Sequence, residues 1–453
     1  MKYIGLDIGT TTICTIVVDS DTGLVVDSVT ESNTAPCIGT LVWEKAQNPA
    51  LILEIAGRLV AQMQEKYAPI GGIGVTGQMH GIVYLNKEGE AVSNLFTWQD
   101  ERGNLPHPDG GSFVQVLSER TGYAALATGF GSVTHYYNTK NSLVPADACY
   151  FCTIHDYAAM RLAGRKTPAV HPSDAASFGL FLPGEGRFDT AAIERAGMNA
   201  DLFPTVCEEY FNLGNTDAGV PVFTAIGDNQ ASFIGSVNSM SDTILVNVGT
   251  GSQVSILSDG VAASEVMETR PCVEGQYLLV GSSLCGGRAY ALLEKFFREM
   301  MTEAGGDLGS MYPTLDRLSE GFEELEDKLD ISTQFAGTRQ DGTVRGTVNG
   351  ISVDNFTPRH FAVGVQEGVV NELFDMLNDS QKPAGFAPKI LVGSGNGVRK
   401  SDVLRRMFSK KFGLPLVVPA HTEEAAYGAA LYSMVGSGAY KDISGAQAII
   451  KYV

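Results

Sequence analysis

Two short stretches place threonine hydroxyls on tight turns, a combination that can grip phosphate oxygens. Residues 3–18 read YIGLDIGTTTICTIVV, two β-rich apolar runs separated by Gly9-Thr10-Thr11-Thr12. Residues 243–257, TILVNVGTGSQVSIL, repeat that grammar with Asn247-Val248-Gly249-Thr250-Gly251-Ser252. Each reads as a hairpin whose turn exposes backbone N–H groups beside hydroxyls. No G-x-x-x-x-G-K-[ST] loop is present, and Gly393-Ser-Gly395-Asn-Gly397 lacks the ending of a dinucleotide fingerprint, so phosphate binding here depends on the paired turns. Asp7 lies on an apolar run just before the first turn. A buried carboxylate there needs a partner, either its own turn or, beside a polyphosphate, Mg²⁺. Asp228 ends the run Val222-Phe-Thr-Ala-Ile-Gly227 and is followed by Asn229 and Gln230 at a helix start. N-capping explains one such residue but not three consecutive polar side chains.

Residues 76–81 (TGQMHG) and 97–102 (TWQDER) mix a flat apolar ring with amide, imidazole and carboxylate groups, as a saccharide requires. His80 or Trp98 alone is more often an ordinary core or surface residue. Their joint occurrence with Asp100 and Arg102 is the stronger signal. Cys149-Tyr-Phe-Cys152 with His155 lacks a second ligand pair and reads as a buried strand.

These residues need elements to hold them, and the chain of 453 residues is long enough for two or three domains. Glycine, 52 residues, falls at the ends of short apolar runs such as Ile73-Gly-Val-Thr-Gly77 and Lys389-Ile-Leu-Val-Gly393, where an α/β protein places ligand turns. Lys400–Phe412 has helical spacing of Val403, Leu404, Met407 and Phe408, and Glu423–Val435 reads as an Ala-rich helix with Gly428 and Ala429 suited to close packing. The repeated hairpin predicts two related domains, 1–240 and 241–453, with the boundary near 236–242 and ligands in the cleft between them. The 51 acidic against 32 basic residues give a net charge of −19, which repels nucleic acid and anionic membranes. No apolar stretch is long enough to span a bilayer, seven cysteines form no disulfide framework, and the N-terminal run turns polar by Thr10, so a cytoplasmic protein is expected. A homodimer is the default expectation from homo-oligomer frequency alone.

The blocks LDIGTTT, GDNQAS, NVGTGS and LVGSGN, in this order across nearly the whole chain, resemble the FGGY carbohydrate kinases of the actin and Hsp70-like ATPase superfamily. VTGQMHG (75–81), TWQDER (97–102), ATGFG (127–131), TIHDYAAMRLAG (153–164), SDAASFG (173–179), GDNQASF (227–233) and GSGNGVRKSDVL (393–404) resemble most closely the sedoheptulokinase branch; xylulokinases share QMHG but match the middle blocks less well. The resemblance implies an α/β fold of two ribonuclease H-like domains with duplicated sheet cores, the first binding sugar and carrying the catalytic base, the second binding nucleotide. It implies ATP and Mg²⁺ as cofactors and phosphorylation of the terminal hydroxyl of a ketose, most closely sedoheptulose. Asp228 would be the general base, with Asp7 and Asp228 at the metal. Thr10, Thr11, Thr12, Gly249 and Thr250 would contact phosphates, and Gly393, Gly395 and Asn396 the adenosine. Gln78, Met79, His80, Trp98, Asp100 and Asn229 would contact the ketose, with Thr128 and Phe130 closing its far end. Departures from the family pattern lie at His135-Tyr-Tyr-Asn-Thr-Lys140, at Gly337-Thr338-Arg339 and at Ser401. A xylulose or other polyol kinase is the alternative within the family. Different classes are an actin or Hsp70-type ATP switch, which has no use for the Trp, His and Asp cluster, and a sugar sensor, expected to lack Asp7 or Asp228.

Overall fold

The computed structural model describes residues 1–37, 41–261, 264, 266–306, 309–339 and 341–453. The chain forms two compact units. The first comprises Met1–Asn238, Arg270–Gln276 and His421–Lys451, the second Ser239–Thr269, Tyr277–Ala420 and Tyr452–Val453. The expected division at residue 240 and this division differ over 270–276 and 421–451, because the helix near the C-terminus packs on the first unit's sheet.

In the first unit, β1 (Lys2–Ile8) and β2 (Thr12–Asp19) form the expected antiparallel hairpin, pairing Asp7 with Cys14 and Ile8 with Ile13. β3 (Val25–Ser32) continues outward from β2, alternating half-buried and exposed residues as an edge strand does. On the other side β4 (Ile70–Gly77) runs parallel to β1, and β5 (Pro221–Phe223) and β6 (Ile226–Gly227) run parallel to β4. The register sets Ile226, Thr76 and Asp7 side by side, with Gly227, Gly77 and Ile8 one step beyond. Asp7, near the end of β1, and Asp228, one residue past β6, therefore lie at the C-terminal ends of the two strands that flank β4, where open α/β sheets bind ligands.

The second unit repeats this plan. β7 (Thr243–Val248) and β8 (Ser252–Ser258) form its hairpin, β9 (Tyr277–Ser283) lies antiparallel beyond β8, and β10 (Ile390–Ser394) and β11 (Leu416–Val417) lie parallel beyond β7. Strand order β3–β2–β1–β4 thus corresponds to β9–β8–β7–β10. Each unit has its own apolar core, one around Ile4, Leu6, Val17 and Leu59, the other around Val246, Val254, Val370 and Phe408. Their continuous β-branched runs are buried on both faces, which is why the strands read as unbroken apolar segments.

Seven helices matter for the site: α1 (Ile154–Leu162), α2 (Pro172–Ser177), α3 (Asp228–Ser236), α4 (Gly286–Glu303), α5 (Gly395–Lys400), α6 (Asp402–Phe412) and α7 (Glu424–Gly436). The helical run expected from Lys400 instead breaks at Ser401, whose hydroxyl caps α6 by accepting the Leu404 N–H at 3.2 Å. α7 lies against β1, β4 and α3. Its backbone carbonyls at Ala426 and Ala429 approach Gly5 and Gly74 more closely than any Cβ would allow, and Gly428 admits the Ala231 carbonyl of α3 in the same way. All seven cysteines are free, Cys152 being buried on the strand Tyr150–Cys152. No helix among the described residues is long and apolar enough to cross a membrane.

Candidate active site

The turn after β1 is pinned from several sides. Gly9 donates to the Thr12 carbonyl at 2.9 Å, and the Asn33 amide donates to the Gly9 carbonyl at 2.9 Å. The Thr10 hydroxyl donates to Gln78 Oε1 (3.2 Å) and accepts the Trp98 indole N–H (3.0 Å). Gln78 in turn donates to Gln47 Oε1 (2.8 Å), and Gln47 donates back to the Thr10 carbonyl (2.8 Å). Thr10, Gln78, Gln47 and Trp98 form one network. The amide of Gln78 is thus engaged inside the protein, accepting once and donating once. The Thr10 hydroxyl is likewise engaged, while Thr11 and Thr12 expose their side chains. Trp98 is 47% exposed, so its ring remains available as a flat apolar surface. A cleft of about 590 Å³ opens beside Thr10 and Thr11, with Glu44, Lys45, Gln47, Thr97 and Gln99 among its lining.

Asp100 departs from expectation. It is fully buried and receives Arg102 Nε at 2.7 Å, Arg102 Nη2 at 3.0 Å and the Lys45 N–H at 3.1 Å. Its oxygens are engaged within the protein, so it frames the site rather than contacting the ketose. The Arg102 guanidinium completes its pairing with Asn138 and lies 4.0 Å from the centre of the Phe96 ring. This buried pair holds the segment that carries Gln47.

Asp7 is pushed up to about 7, first by burial and then by the neighbouring charges of Asp228 and Glu423. Asp228 is the first residue of α3; Gly227 occupies the cap position, so capping does not explain it. Burial raises Asp228, against the lowering effect of His155 and Arg270. Carboxylates within electrostatic reach of one another offer only oxygen, a donor type that suits a hard divalent cation. His155, on α1, has Nε2 3.0 Å from Asp174 Oδ1, and burial drives it below its ordinary value. Among the described residues, His155, Asp156 and Asp174 are the one trio of His, Cys, Asp or Glu whose ligand atoms all lie within 4.8 Å of one another; all three are buried.

Met79 packs on Gly227, and His80 adopts a left-handed backbone at φ 72°. The His80 ring stacks on Phe130 at 4.5 Å with 6° between planes. Gly129, at φ 85°, lets the Trp98 carbonyl approach where a Cβ would collide, and the Thr128 hydroxyl lies 3.4 Å from the Asp100 carbonyl. Residues 78–80, 98 and 128–130 are thereby gathered in the first unit, and Asn229 stands next to Asp228 on α3.

In the second unit, Gly249 donates to the Gly251 carbonyl at 2.9 Å, and the turn accepts Gly287 N–H at Gly249 (2.8 Å) and Arg288 N–H at Thr250 (3.0 Å). The N-terminus of the 18-residue α4 is thus seated on the turn, the end of a helix that favours anions. Asn247, in the position equivalent to Asp7, donates to the Ser394 hydroxyl at 2.8 Å. Gly393, Gly395 and Asn396 span the end of β10 and the start of α5, with Gly395 at φ 79° and Asn396 exposed.

Sequence reasoning missed Gln47, Glu423, Arg270 and the Gly286-Gly287 start of α4. A Glu-Glu pair opening an Ala-rich helix was the one available signal for Glu423; Gln47 carried none.

The duplicated sheets and paired turns define an actin and Hsp70-like ATPase fold. Solved structures agree: gluconate kinase from Lactobacillus acidophilus has a TM-score of 0.83 at 20% identity, covering 100% of this chain and 92% of that one. Xylulose kinase from Rhodospirillum rubrum also has 0.83, at 21% identity, covering 100% and 93%. The FGGY family of carbohydrate kinases, N-terminal domain, matches residues 2–235, and its C-terminal domain matches 244–437. This chain belongs to that family. Sedoheptulokinase of Mus musculus is 28% identical over 406 residues, covering 82% of this chain and 83% of the mouse protein.

Proposed function

We propose that this kinase transfers the γ-phosphoryl group of ATP to the terminal hydroxyl of a ketose, with sedoheptulose giving sedoheptulose 7-phosphate as the leading reaction. The observation that carries the reading is Asp228: a carboxylate just past the C-terminal end of a strand of the first sheet, raised by burial, close enough to Asp7 to raise it in turn, and next to Gly227, on which Met79 packs. A base with a raised pKa accepts a proton more readily near neutral pH. The hydroxyl oxygen bonds to phosphorus, its proton passes to Asp228, and the bond to the β-phosphate oxygen breaks, releasing ADP. Thr11, Thr12, the Gly9–Thr12 backbone, Gly249 and Thr250 hold phosphate oxygens, and Gly393, Gly395 and Asn396 the adenosine. Met79, His80, Trp98, Phe130 and Asn229, with Thr128 beyond, contact the sugar. Asp7 and Asp228 would hold Mg²⁺, directly or through water, and the ion would supply charge neutralisation to the triphosphate.

The likeness to mouse sedoheptulokinase supports the sugar named. A xylulose kinase of Staphylococcus epidermidis, 24% identical and covering 99% of this chain and 90% of its own, supports xylulose as the second reading. ADP release measured over sedoheptulose, xylulose, ribulose and glycerol tests both. Sedoheptulose is expected to give the highest kcat/KM. A higher value with xylulose moves the substrate assignment, and no ADP release with any of them ends the reading.

A further inference from the structure

The block Ser173-Asp-Ala-Ala-Ser-Phe-Gly179 stands out in the sequence, yet nothing above gives it work. Its structure is a short helix, α2, whose N-cap is His171. The Ser173 hydroxyl, almost fully buried, accepts the Gly227 N–H at 3.1 Å, one residue before Asp228. It also lies 2.8 Å from His171 Nδ1, and the Ser173 N–H donates to that same nitrogen at 3.1 Å. A ring nitrogen that accepts a backbone N–H carries no proton, so Ser173 Oγ–H donates to Nδ1 and Nε2–H faces outward. There it meets Glu209 Oε2 at 3.0 Å.

A serine, a histidine and a glutamate in a line resemble a nucleophilic triad. The burial of Ser173 and the Gly227 N–H on its oxygen argue against attack on any external group. The same helix reaches the sugar side. Ser177 Oγ accepts the His80 N–H at 3.2 Å, and the Ser177 carbonyl lies 2.7 Å from His80 Nδ1. The Phe178 carbonyl accepts the Ser132 N–H at 2.9 Å, two residues past Phe130, which stacks on His80. Left-handed backbone at a histidine is strained and persists only where neighbours over-determine it.

We infer that His171 and Ser173 are positioning residues of the phosphoryl-acceptor site: the chain Glu209–His171–Ser173 fixes the Gly227 amide, and with it Asp228, while the same helix fixes His80 through Ser177. This rests on the kinase reading, because it assigns Asp228 and His80 to the reacting hydroxyl. A displacement near 1 Å at such a group is enough to slow a reaction markedly without weakening nucleotide binding.

The test is steady-state kinetics of the whole chain with ATP, Mg²⁺ and the ketose it phosphorylates best. Ser173→Ala and His171→Leu are each expected to lower kcat roughly 10- to 100-fold while KM for ATP stays within about twofold. His171→Asn supplies a side-chain oxygen where Nδ1 stood, and it is expected to recover most of the kcat lost in His171→Leu. A folded Ser173→Ala with wild-type kcat overturns the inference, as does a His171→Asn no more active than His171→Leu. If Ser173→Ala does not fold, the two His171 variants decide. Asp228→Asn is measured alongside. Should it be inactive while Ser173→Ala is fully active, only the inference falls; should it be fully active, the kinase reading falls and takes the inference with it.

Discussion

The turns at residues 9–12 and 249–251 close the same hairpin in two units of the same strand order, but they differ where chemistry is needed. The first follows Asp7, pushed up to about 7 by burial and by Asp228 and Glu423. The second follows Asn247, a neutral amide that donates to Ser394, and it carries the N-terminus of a long helix. One copy of a duplicated device concentrates negative charge, and the other sets the positive end of a helix dipole against its turn. The first suits a cation and a proton, the second an anion.

The largest way to break this contrast is Asp228→Asn. It is expected to lower kcat by at least ~10²-fold, with KM for ATP little changed, since a positioned base contributes ~10²- to 10⁴-fold. Wild-type activity in that variant removes Asp228 from the base role.

Acid stability separates the units next. Six of the seven histidines, all but His360, belong to the first unit. Among them His135, buried with Nδ1 2.8 Å from the Tyr84 hydroxyl, is lowered from 6.5 to about 4 by burial. The unfolded chain binds a proton there between those values and the folded chain does not. The stability from this group is therefore complete above pH 6.5 and is lost as pH falls to about 4, a loss of order 3 kcal/mol. Chemical denaturation from pH 7 to 4 should show that slope, and His135→Gln should reduce it; an unchanged slope refutes the assignment.

Asp7→Asn makes the first strand copy the second. It is expected to raise the Mg²⁺ concentration needed for half-maximal rate roughly 10- to 100-fold, the cost of losing one charged partner. An unaltered Mg²⁺ titration places the cation elsewhere. The reverse change, Asn247→Asp, puts a carboxylate beside the second turn and is expected to raise KM for ATP roughly tenfold with a smaller effect on kcat. If KM for ketose moves instead, the second turn is not the phosphate cradle.

Much of the site was legible because its signals are local. Asp7 and Asp228 stand at apolar-run ends beside glycine, and the register of parallel neighbours brings their strand ends together. Gln47 was not legible, since its role depends on Gln78 and Thr10 lying against it from distant positions. Asp100 misled for the opposite reason: its partner is only two residues away, but nothing in TWQDER shows that Arg102 folds back to occupy it. The Ala-rich helix was visible, with its small residues, while its membership in the first unit was not.

The order of residues by itself determined the duplicated hairpins, the turn residues and the strand ends, because unbroken apolar runs and glycine placement act over a few neighbours. The tertiary structure alone decided which polar groups satisfy one another and which stay exposed, since burying a hydrogen-bonding group demands a partner that the chain supplies from anywhere along its length.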